Sequence, residues 1–130
     1  MTLNLETFVR AYVVAALWSS TDENGEPLDA VFSPDDIAPE CAAAMRASCA
    51  DFVASNAADL AEYCQRMKTE EWGGEERAGH DFWLTRNRHG AGFLDHGLGE
   101  LGERLSEAAH VYGDVYLYAG DDGLIYGETE

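Results

Sequence analysis

The sequence predicts an α+β domain in which N-terminal helices pack on a small antiparallel β-sheet. Three observations carry that reading. Apolar residues recur at three- and four-residue spacing through the first half of the chain. After a charged, glycine-containing stretch at 69–80 the pattern becomes short and aromatic. The chain then closes on two apolar runs joined by Gly120-Asp121-Asp122-Gly123, a hairpin signature. At 130 residues it is one domain, mainly helical over 1–68 and β-loop-α-β-β over 81–130. Hydrophobic residues make up 46% and charged residues 25%, enough apolar material for a core.

Each element has a local cause. Leu5, Phe8, Val9, Tyr12, Val13, Ala16 and Leu17 form one apolar face of a helix over 5–18, with Asn4 as N-cap. Ser19 to Pro27 is polar and turn-rich. Ser33 caps a short turn with Pro34 at its first position, and Pro39 restarts a helix to about 54. The face of that helix is Cys41, Met45, Cys49, Phe52 and Val53. Ser55 or Asn56 ends it and opens a segment carrying Leu60, Tyr63, Cys64 and Met67, so 39–68 is one bent helix or two. Asp81 to Asn87 reads as a strand, and 88–93 as a glycine-rich loop. Leu98, Leu101, Leu105, Ala108 and Ala109 give a helix over about 97–111, ended by Gly113. Residues 115–119 and 124–126 are the hairpin strands.

The charge is the unusual quantity. Twenty-five acids against eight bases give a formal net of −17. Such a chain is a poor ligand for nucleic-acid phosphates or anionic lipid. Residues 1–65 hold 11 acids and 2 bases, 66–88 hold five of each, and 89–130 hold nine acids and one base. Two acidic regions therefore flank a neutral middle, and the acids are interleaved with core positions rather than strung into a tail. A domain of this length has a diameter of roughly 35 Å, over which duplex DNA carries about 20 negative charges. The net charge approaches that of the DNA it would cover. An acidic, lysine-poor, alanine-rich composition also occurs in proteins from salt-loving or GC-rich sources, where it serves solubility.

No apolar run reaches the length of a membrane helix, and the apolar N-terminus lacks a basic n-region, so a cytosolic protein of the host cell is expected. Cys41, Cys49 and Cys64 form no CxxC and read as buried reduced thiols. His80, His89 and His96 with Asp81 and Asp95 fit no zinc signature, and neither Asp22-Glu23-Asn24-Gly25 nor Asp121-Asp122-Gly123 completes a calcium loop. No metal or other cofactor is expected. No nucleophile elbow or phosphate loop is present, so a non-enzymatic role is expected.

The stretch HDFWLTRNRHGAGFLDHGLGE, the closing GDVYLYAGDDGLIYGE, and the earlier ALWSSTDENGEPLD and FSPDDIAP together resemble a group of small acidic proteins of tailed phages, prophages and mobile elements. The resemblance covers most of the chain and implies a phage-type origin without an assigned activity. In the group the loop runs GFWDRG, whereas here it reads Phe93-Leu94-Asp95-His96-Gly97, without the aromatic and the Arg.

An acidic phage-type protein without catalytic machinery is expected to act by binding. The first expectation is an inhibitor of a host nucleic-acid-handling protein, a CRISPR effector or a restriction enzyme, acting by DNA-like charge mimicry. Its candidate contacts are Asp22, Glu23, Glu26, Asp35, Asp36, Glu100, Glu103, Glu107, Asp121 and Asp122. The alternative is a small-ligand or nucleotide-binding module on the 80–96 loop, using Trp83, Arg86, Arg88 and His89, with Arg86 and Arg88 pairing to Asp81, Asp95 or a partner carboxylate. A third is a structural phage protein that self-associates.

Overall fold

The computed structural model describes residues 3–90 and 92–129. Ala91, inside the expected glycine-rich loop, lies outside them. The fold is α+β, with five helices and one two-stranded antiparallel sheet among the described residues. Helix α1 spans Leu5–Ser19, with Asn4 Oδ1 accepting from the Thr7 N–H at 3.1 Å as the expected cap. Pro34–Asp36 forms a 3-10 turn closed by a Ser33–Asp36 capping box. Helix α2 (Pro39–Ser55) and helix α3 (Ala57–Met67) are two helices, broken at Asn56, whose Nδ2 donates back to the Phe52 carbonyl at 2.9 Å.

The strand expected at 81–87 is helical. Helix α4 runs Gly74–Arg86 and takes in half of the expected linker. Every residue from Asp81 to Arg86 is buried, so this half of α4 has no polar face to alternate with its apolar one. A helix buried all round loses the 3.6-residue signal and reads like a buried strand. Two of the three glycines of the supposed linker, Gly74 and Gly79, serve close helix approach. A Cβ on Gly79 would stand 2.1 Å from the Phe8 carbonyl oxygen, which is how closely α1 and α4 approach. A Phe93–His96 3-10 turn leads to helix α5 (Glu100–His110), and the sheet pairs β1 (Val115–Ala119) with β2 (Ile125–Thr129), Tyr118 opposite Tyr126.

The core is aromatic. Phe52 stacks on Phe82 at 4.0 Å, and Tyr12 meets Trp83 edge-on at 5.3 Å. Cys41, Cys49 and Cys64 are buried free thiols within it. No helix among the described residues is long and apolar enough to cross a membrane.

Candidate functional site

The hairpin organises three acidic segments. Along β1, Asp22 and Glu23 share a cavity of about 200 Å3 with Tyr116, Leu117 and Tyr118. Along β2, Ile37 forms a parallel bridge with Ile125, and the Ala38 N–H donates to the Ile125 carbonyl at 2.8 Å. That bridge carries Asp35 and Asp36 to the same sheet. The hairpin turn itself supplies Asp121 and Asp122. Seven of the ten candidate acids thus gather around one two-stranded element, although their segments are almost a hundred residues apart in the chain.

Three of the seven also shape the backbone. Asp22 Oδ1 accepts from the N–H groups of Asn24 (2.8 Å) and Glu26 (3.0 Å), closing the polar loop. Asp36 Oδ2 accepts from the Ser33 N–H at 2.8 Å. Asp122 accepts from the Leu124 N–H and from the Tyr126 hydroxyl. Those two bonds hold the Asp122 carboxyl below its usual range, and the same Asp122 contact pushes the Tyr126 phenol up to about 12. Glu23, Glu26, Asp35 and Asp121 are exposed. The charges are therefore mounted on short, hydrogen-bonded turns.

Between them the sheet shows a row of tyrosines. Tyr116 and Tyr118 project from one face of β1, 56% and 36% exposed, with ring centroids 6.1 Å apart. Tyr118 continues to Tyr126 across the register at 5.9 Å. Tyrosine in such a row offers a rigid apolar face and a hydroxyl at little entropic cost, a recurring feature of protein interfaces. The sequence signal for this row is the alternate tyrosines of Val115-Tyr116-Leu117-Tyr118, with Leu117 facing inward; charge and motif patterns do not reveal it.

Glu100, Glu103 and Glu107 are exposed on one side of α5. That helix packs on α3, α4 and the 93–96 turn, and Arg104 reaches across to Asp59 through two bonds of 3.1 Å. They form a second group.

No family model, curated protein or solved structure matches this chain. The functional reading rests on its own residues.

The 80–96 segment does not assemble as a ligand loop. Trp83 is buried and donates its indole N–H to Ser19 Oγ at 2.7 Å. Arg86 is 3% exposed and makes no pair with Asp81 or Asp95. Its guanidinium donates to the carbonyls of Tyr112 (2.7 Å) and Gly113 (2.8 Å) and to the Tyr12 hydroxyl (3.1 Å). Asn87 Oδ1 then accepts from the Val115 N–H at 2.7 Å, so Arg86 and Asn87 together fix where β1 begins. Arg88 and His89 are exposed on the loop beyond, Arg88 in the left-handed region at φ 54°. The spacing that brought four side chains together in a loop fails because α4 turns two of them inward.

Asp81 is the hub that sequence reading placed in a strand. It is 1% exposed. Its Oδ2 accepts from the Tyr63 hydroxyl and lies 2.7 Å from His96 Nε2, while its Oδ1 lies 3.2 Å from His80 Nδ1. A buried carboxyl needs such partners, because burial removes it from bulk solvent. Burial, then the neighbouring Asp81, raises the Tyr63 phenol. Among the described residues no three His, Cys, Asp or Glu side chains converge in a metal-holding group.

Proposed function

We propose that the protein binds a basic nucleic-acid-handling protein of the host, a CRISPR effector or a restriction enzyme, and occupies its nucleic-acid groove by DNA-like charge. The observation that carries this reading is the grouping of Asp22, Glu23, Glu26, Asp35, Asp36, Asp121 and Asp122 around the tyrosine-bearing hairpin. Charges fixed on short turns lose little freedom on binding, which favours affinity over a flexible acidic tail. Exposed carboxylates meet the guanidinium and ammonium groups of such a groove, and the tyrosine faces accept arginine by cation–π contact.

The test is competition. Fluorescently labelled duplex DNA is bound to a panel of purified CRISPR effectors and restriction enzymes, and anisotropy follows its displacement. The reading expects displacement from at least one member with fast association, weakening steeply as salt rises. Displacement insensitive to salt, or none across the panel, would refute charge mimicry.

A further inference from the structure

A second concavity is separate from the acidic surface. A cleft of about 460 Å3 lies between one face of α1 and the start of α4, walled by Arg10, Val14, Trp18, Trp72, Glu76 and His80. A volume of this order is ordinary for a small-molecule site.

Its walls are aromatic and held in place. Trp18 and Trp72 are each 39% exposed, and their ring centroids lie 5.8 and 5.5 Å from the His80 imidazole. The Trp18 plane is 31° from that of His80 and the Trp72 plane 74°, so three rings form a corner rather than a stack filled by itself. Trp72 sits outside any helix but is fixed. Its N–H donates to Thr69 Oγ1 (2.9 Å), its carbonyl accepts from the Thr69 N–H (2.7 Å), and the Arg77 guanidinium lies 5.4 Å from its ring. His80 is fixed through Asp81. Its Nδ1 lies 3.2 Å from Asp81 Oδ1. Large apolar groups left exposed but immobilised around a polar edge are what a preorganised site requires.

Arg10 and the exposed Glu76 are the formally charged side chains that line the cleft, so an anion is favoured at its Arg10 end and not across it. Arg10 is exposed, has no carboxylate partner among the described residues, and lies eight residues before Trp18 on the same face of α1. Eight residues of helix span about 12 Å, and Arg10 and Trp18 both line the cleft. The acidic regions elsewhere are screened over about 8 Å at physiological salt.

We propose that this cleft binds a small molecule with a planar aromatic ring and an anionic group. The ring rests against Trp18, Trp72 and His80, and Arg10 takes the anion. A mononucleotide and an aromatic carboxylate share this chemistry. Quenching of tryptophan fluorescence separates them, with AMP and phenylacetate as probes and adenosine, inorganic phosphate and choline as controls. Saturable quenching by AMP assigns a nucleotide, by phenylacetate an aromatic carboxylate, and by both the shared chemistry. Arg10→Gln, an exposed change, is expected to weaken the anionic probe about tenfold while leaving any adenosine binding unchanged. Trp72→Ala, checked for folding by circular dichroism, is expected to abolish binding. No saturable quenching by either anionic probe, an R10Q variant that binds as the parent does, or preferential binding of choline would overturn the proposal.

Discussion

Arg86→Met separates a scaffolding arginine from a ligand-binding one. The guanidinium is 3% exposed and supplies the donors for the Tyr112 and Gly113 carbonyls and the Tyr12 hydroxyl. Methionine fills similar length without a donor, so one buried acceptor, the Tyr12 hydroxyl, and two part-buried carbonyls lose their donor. A buried polar group left without its partner costs about 1–3 kcal/mol. Allowing for partial repacking and water entry, the loss is about 3–5 kcal/mol. That is a large part of the ~5–15 kcal/mol by which domains are stable. With a urea slope of about 2 kcal/mol per molar, the unfolding midpoint falls by roughly 2 M. Urea titration followed by far-UV circular dichroism reads it directly. Arg86→Lys keeps the charge but not the planar fork, and is expected to recover only part of the loss. If Arg86→Met unfolds within about 1 kcal/mol of the parent, the guanidinium does not hold β1 to the helices, and the reasoning fails.

Gly79→Ala places a Cβ 2.1 Å from the Phe8 carbonyl and forces α1 from α4; a loss of about 2–3 kcal/mol is expected, read as a melting temperature lower by roughly 8–12 °C. Cys49 and Cys64 are almost without exposure, and burial pushes the Cys64 thiol up to about 11, so native protein is expected to react slowly with a thiol reagent and to yield all three cysteines in denaturant. Rapid native labelling of Cys49 would contradict the core as described. The Asp122 carboxyl is held below its ordinary value by Tyr126 and Leu124, so its contribution is present above the unfolded carboxylate pKa and is lost as pH falls through the lower folded value. Amide resonances of the hairpin turn are expected to shift in that acidic window, and Asp122→Asn to remove the transition.

Much of the fold is legible because its surface elements keep a polar face. Helix α1, the Pro34 turn, the proline start of α2 and the Gly120–Gly123 hairpin all follow from caps, prolines and alternation. The 81–87 segment does not, because tertiary burial on every side erases the period that a sequence reader depends on. The same burial hides Asp81. A carboxylate amid aromatics reads as exposed until Tyr63, His80 and His96 are found around it, contributed from two helices and a turn. The acids were recognisable as charge, yet their grouping depends on Ile37 bridging Ile125, a pairing with no local signature.

The place of the negative charge, rather than its total, makes the proposed interaction surface. Two variants that each remove four charges test it in the same DNA-displacement assay at one salt concentration. One carries Glu23→Gln, Glu26→Gln, Asp35→Asn and Asp121→Asn at the hairpin; the other carries Glu70→Gln, Glu100→Gln, Glu103→Gln and Glu107→Gln. All eight positions are exposed. Loss of displacement by the hairpin variant, with the second close to the parent, is the predicted result. Equal loss in both would contradict the claim and leave total charge alone as the determinant.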